Sequence, residues 1–125
     1  MKFGKVELYT DDKGYSQFRE LDIEMNEAGN IGFLSDNITA SSYQLRYSPP
    51  GYKSDFHNSM TPQWVFILSG TMRIGLRDGS TRDFKAGESF YSNDIPPSIA
   101  VADDVPGHSS AQVGDEPLQT LFLRE

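Results

Sequence analysis

Apolar and polar residues alternate along this chain with the period of a β-strand, and Gly, Pro, Asn, Asp and Ser break the runs at short intervals. "KVELYT" reads as a strand and "DDKG" as a turn; "FRELDIEM" reads better as a strand than as a short helix. "IGFLSDNITA" fits either pattern. "SSYQLRYS" sets Tyr43, Leu45 and Tyr47 on one face and Ser42, Gln44 and Arg46 on the other, and "PPGY" ends it because proline cannot continue a central ladder. "KSDFHNS", "QWVFILSG", "GTMRIGLRDG" and "TRDFKAGESFYSND" continue the series, with Asp-Gly in "RDGS" marking a two-residue hairpin turn. "QWVFILSG" is apolar at both parities and is expected to be buried on both faces. "IPPSIAVADDVPG" lacks regular pattern and reads as a loop that shapes or covers a site, and "HSSAQVGDEPLQTLFLRE" closes the chain with two strands about "GDEP". Roughly eight or more short strands with frequent turn signals predict an all-β sandwich or barrel.

Composition narrows the function. The 125 residues suit one domain, and eight Phe, six Tyr and one Trp supply bulk for its core. A net charge of −7 argues against a nucleic-acid partner and against docking on anionic lipid. The absence of cysteine removes disulfides, thiolate metal sites and cysteine nucleophiles. "MKFGKVELYT" lacks the apolar core of a signal peptide and "WVFIL" is too short to span a bilayer, so a cytoplasmic protein is expected. No G-x-G-x-x-G or P-loop pattern occurs, so Gly51, Gly70, Gly79 and Gly87 are read as turn residues.

The only two histidines are His57 and His108, each on a short strand-like stretch. In a small β-barrel one face of each strand turns inward, so His57, Gln63 and His108 can converge. Two imidazoles and an amide oxygen suit a divalent metal ion such as Fe, Mn, Ni, Cu or Zn. Arg46, on the Ser42 and Gln44 face, is a candidate for a bidentate grip on a substrate carboxylate. Ser59, Gln44 and Tyr91 complete the candidate substrate-binding set.

The spacing Gly51, five residues, His57, one residue, Ser59, three residues, Gln63, six residues, Gly70 resembles the first motif of the cupin superfamily. "AGESFY" and "PGHSSAQVGDEPLQTLFL" resemble the opening and close of its second motif, so the resemblance runs from about Ser42 to Leu123. It implies a single cupin-type antiparallel β-barrel or jelly roll spanning residues 1–125. Its core would lie at about 42–123, with strands of 1–41 decorating the barrel or a dimer interface. It also implies a homodimer and a small oxygenated or carboxylated substrate. The chemistry expected is that of a metal-dependent dioxygenase, isomerase or lyase with His57, Gln63 and His108 as ligands and His57 and His108 as catalytic residues. The chain departs from the family's usual pattern at Ser59, where a third histidine stands, and at Gln63, where a glutamate stands. Two alternatives follow: a metal-free pocket with a histidine as general base, or a binding module without chemistry. No carboxylate to orient such a base is evident in the sequence.

Overall fold

In a computed structural model, which describes residues 1–95 and 107–125, the chain is all β apart from one 3-10 turn at Gly29–Ile31. The strands are β1 (Lys2–Thr10), β2 (Ser16–Glu24), β3 (Asn26–Glu27), β4 (Phe33–Leu34), β5 (Ser42–Ser48) and β6 (Gln63–Ser69). There follow β7 (Thr71–Gly75), β8 (Thr81–Lys85), β9 (Ser89–Asn93), β10 (Ser109–Val113) and β11 (Leu118–Arg124). A six-stranded sheet runs β2-β1-β9-β6-β11-β5, a three-stranded sheet runs β10-β7-β8, and β3 and β4 form a small ribbon.

The expected closed antiparallel barrel is corrected on two counts. The sheets remain separate rather than joining edge to edge, and the large sheet is mixed because β1 lies parallel to β9. Hydrophobic burial between the sheets replaces closure. Leu8, Val65, Ile67, Met72, Ile74, Leu76, Phe84, Phe90, Leu118 and Phe122 fill the space between them. The switch from large to small sheet occurs at Gly70, between β6 and β7, with φ of 81°. A Cβ there would stand 2.5 Å from the Pro117 carbonyl oxygen, so only glycine fits this crossing.

Two local readings also change. The β7–β8 connection is a three-residue loop rather than a two-residue one. Leu76 N–H donates to the Ser80 carbonyl, and only Gly79, at φ 91°, takes the left-handed conformation. The stretch "KSDFHNS" is not a continuous strand. Its backbone pairs with β10 through an isolated bridge from Lys53 to Ala111, beside which the Ser54 hydroxyl meets the Ser110 amide and hydroxyl at 3.0 Å, and it pairs with the residue before β10 through one from His57 to His108. Between these bridges the chain turns on itself, with Asp55 and Phe56 exposed, so alternation there does not follow a ladder.

The parity of β6 and β11 decides what faces the interior. Gln63, Val65 and Ile67 share the inner face of β6; Val65 and Ile67 are buried there, while Leu68, on the outer parity, is exposed. Trp64 is also on the outer parity yet is covered, with Tyr91 and Phe66 rings 5.6 and 5.7 Å from its own and the Lys5 ammonium 5.2 Å away. β5 pairs with β11 so that Arg46 opposes the buried Thr120 and Gln44 opposes Phe122. The polar face of β5 therefore turns inward, and Tyr43, Leu45 and Tyr47 face solvent. Among the described residues no helix is long and apolar enough to cross a membrane.

Candidate functional site

The two histidines meet. His57 N–H donates to the His108 carbonyl and His108 N–H donates to the His57 carbonyl, both at 2.8 Å, and the ring centroids lie 4.7 Å apart. Gly107 makes this approach possible: at φ 84°, a Cβ on it would stand 1.9 Å from the His57 carbonyl oxygen. Both rings line a cavity of about 200 Å³ between the sheets, together with Arg46, Tyr52, Gln63 and Arg124. That volume lies below the roughly 300–1,000 Å³ typical of drug-sized ligand sites, so the ligand it admits is small.

Hydrogen-bond partners fix the imidazole tautomers. Nδ1 of His57 is 2.9 Å from the Asp55 carbonyl oxygen, which can only accept, so this nitrogen carries the proton. Nδ1 of His108 is 2.8 Å from Oδ2 of Asp94 and donates to it in the same way. In its neutral form each ring then carries its lone pair on Nε2, the form in which imidazole binds a metal or accepts a proton.

Asp94 is a candidate site residue that the sequence did not single out. Its side chain is fully buried and accepts from Thr10 Oγ1 at 2.5 Å, from Ser16 Oγ and from His108. Burial pushes its pKa up, but the hydrogen bonds from His108, Ser16 and Thr10 and the charge of His108 outweigh that and hold it below the usual aspartate range. Its main-chain carbonyl also accepts from Ser59 N–H at 2.8 Å and from Asn58 Nδ2 at 3.2 Å. The available signal was parity, since Phe90, Ser92 and Asp94 continue one face of β9.

The other expected residues are placed as follows. Ser59 is buried, with its hydroxyl 2.6 Å from that of Ser92. Gln63 opens β6, and its Oε1 is buried with no hydrogen-bond partner among the described residues. Arg46 lines the cavity with its guanidinium 3.8 Å from the centroid of the Phe122 ring. Burial and the nearby Arg124 charge lower its pKa from the ordinary arginine value, with Tyr52 opposing. Gln44 sits behind it and accepts from Arg46 at 3.1 Å and from Arg124 at 3.3 Å. Tyr91 lies on the other face of the sheet, where its hydroxyl donates to Glu125 at 2.7 Å and its ring packs 3.8 Å from the Lys5 ammonium. Of the expected loop "IPPSIAVADDVPG", residues 96–106 lie outside the described residues.

Among the described residues no group of three His, Cys, Asp or Glu side chains is placed to hold a metal ion. The donors present are of another kind: two imidazoles and an amide oxygen. The orphaned Gln63 Oε1 is a buried acceptor that needs an electrophile, so this set fits a divalent ion whose charge is balanced by water, hydroxide or an anionic ligand. None of the described lining residues is an aspartate or glutamate although the whole chain carries −7, and Arg46 and Arg124 are among them, so the lining itself favours an anion and an ion held there needs one beside it.

No protein-family model and no curated protein matches the chain. Among solved structures it is similar to a cupin-2 domain protein from Shewanella frigidimarina, at 18% identity over 66% of this chain and 67% of that one, with a TM-score of 0.45. It is also similar to the cupin domain of Schizosaccharomyces pombe Cnp3, at 12% identity over 99% of this chain and 84% of that one, with a TM-score of 0.46. Both neighbours are cupin domains.

Proposed function

We propose that the chain is a single-domain, small-molecule cupin enzyme in which His57, His108 and Gln63 hold a divalent ion beside a small carboxylated substrate. The observation that carries this reading is the meeting of the two histidines beside a Gln63 oxygen with no hydrogen-bond partner among the described residues, in a cavity whose described lining holds no aspartate or glutamate. An ion held there would act as a Lewis acid on a carbonyl or carboxylate oxygen. Asp94 holds the His108 ring in the ligating tautomer, as carboxylates behind ligating histidines do. Arg46 and Arg124 form no salt bridge among the described residues, and their mutual repulsion is relieved when an anion sits between or beside them. Phe122 and Gln44 set the plane of the Arg46 guanidinium.

The Asp94–His108 pair supports a second reading. A histidine whose Nδ1–H is held by a buried carboxylate is a competent general base at Nε2, because the carboxylate stabilises the imidazolium that forms. In this reading Gln63 donates or accepts at the substrate and no ion is required.

Elemental analysis of the purified protein, beside His57→Ala and His108→Ala, separates the two. Stoichiometric metal in the wild type, lost in both variants, is the expected result. Failure to take up iron, manganese, nickel, copper or zinc on reconstitution removes the metal reading and leaves the metal-free base or a ligand-binding module.

A further inference from the structure

The two edges of the large sheet differ. β2 carries Arg19, Glu20, Asp22 and Glu24 within its nine residues, the kind of charge that blocks unwanted strand pairing. β5 carries one charge, Arg46, and no lysine or proline. Its outer face is apolar and open, with Tyr43, Leu45 and Tyr47 exposed to 68%, 65% and 63%. Only β11 pairs with it, so the backbone groups on its far side have no strand partner among the described residues.

The sequence of this edge is nearly its own mirror image: Ser42, Tyr43, Gln44, Leu45, Arg46, Tyr47, Ser48. An antiparallel alignment of two copies about Leu45 sets Leu45 against Leu45, Tyr43 against Tyr47, Gln44 against Arg46 and Ser42 against Ser48. Each opposed pair is then apolar with apolar, serine with serine, or a guanidinium with an amide oxygen, and no acid meets an acid although each chain carries −7. Pro49 and Pro50 follow at once, and their missing N–H groups end the ladder where the symmetric match ends.

We propose that two copies of this chain pair through β5, antiparallel and centred on Leu45, joining their large sheets into one. The contact is a seam and not a face: the tyrosines and Leu45 meet only along their edges, so the area is at the small end of specific interfaces and the main-chain ladder carries the pairing. Pairing like edges gives a closed two-fold dimer, whereas β5 on β2 would bring the apolar edge against charges and continue into a filament. The proposal is independent of whether the cavity holds a metal.

Sedimentation velocity on the full chain at micromolar concentration, combined with cysteine cross-linking, tests it. The chain has no native cysteine, so introduced ones report alone. Directly opposed residues of antiparallel strands have Cα atoms about 4.5–5.5 Å apart, within disulfide range. Leu45→Cys should therefore cross-link with itself under mild oxidation. Tyr43→Cys and Tyr47→Cys should each stay uncross-linked alone and cross-link when mixed. Leu45→Arg, which sets two guanidinium groups on the symmetry axis, should weaken the dimer roughly tenfold or more while Leu21→Arg on β2 leaves it intact. A monomeric wild type, a dimer in which Leu45→Cys does not cross-link, or equal cross-linking of Tyr43→Cys alone and in the mixture overturns the proposal.

Discussion

Replacing Asp94 by Asn tests the organisation of the site most directly. The carboxylate accepts from three donors, Thr10, Ser16 and His108, in a position with no solvent access. The amide keeps one acceptor oxygen and presents an NH₂ group where a carboxylate oxygen stood. With its oxygen at the Oδ2 position the amide still accepts from His108 and Ser16, and its NH₂ group meets Thr10 Oγ1, whose hydroxyl can donate to the Ile95 carbonyl instead. The substitution therefore keeps the His108 tautomer and removes the negative charge that strengthens its hydrogen bonds. A hydrogen bond to a charged group contributes about 1.5–3 kcal/mol, so the variant should lose roughly 2–3 kcal/mol of stability. With a urea dependence of about 1–3 kcal/mol per molar, the unfolding midpoint should fall by roughly 1–2 M. Metal affinity, if the cavity holds an ion, should fall about 10- to 100-fold. Urea unfolding gives the first quantity, and nitrogen-15 NMR of the imidazole gives the tautomer. An unchanged midpoint, or a His108 that has lost its proton from Nδ1, would refute the reasoning.

Two further outcomes are expected. Gly107→Ala should cost at least about 2 kcal/mol and separate the histidines, because the left-handed backbone strains any side chain and the new Cβ meets the His57 carbonyl; urea unfolding and loss of the His57–His108 cross-peaks in NMR would check it. Acid should destabilise the wild type through Asp94. Its folded pKa is depressed, so its contribution is complete above the ordinary aspartate value of about 3.9 and is lost as pH falls through the folded value. Stability curves of wild type and Asp94→Asn should converge below that pH, and parallel curves would count against it.

Much of the site was legible because strand parity is a strong local rule. Gln63, Val65 and Ile67 do share the inner face, and the polar side of β5 is the one that faces the cavity. The meeting of His57 and His108 was expected from the inward faces of a barrel and from the motif resemblance, although the barrel is open and His57 lies on no strand. What could not be read depended on partners distant in the chain. A buried carboxylate at residue 94 is stable only because Thr10 and Ser16, from the first hairpin, arrive beside it. The stretch 53–59 alternates like a strand yet forms only isolated bridges, to Ala111 and His108, instead of a ladder. Tyr91 has the same chemistry on either face; the Glu7 pairing from β1 and the Lys5 ammonium mark its side as the outer one. The open sheets follow from β1, whose parallel docking on β9 places the hairpin at an end of the large sheet instead of across the gap.

Asp94 is engaged at both its ends: the side chain grips His108, while the backbone carbonyl grips the Ser59 amide, and His57 is paired with His108 in both directions. Three segments remote in sequence are thus fastened at one point. Releasing any of them frees the others, so the amides of His57, Ser59 and His108 must become exchangeable in a single opening event instead of fraying one by one. The site is then either assembled or absent, and partial occupancy of its geometry is not a state the molecule can populate cheaply.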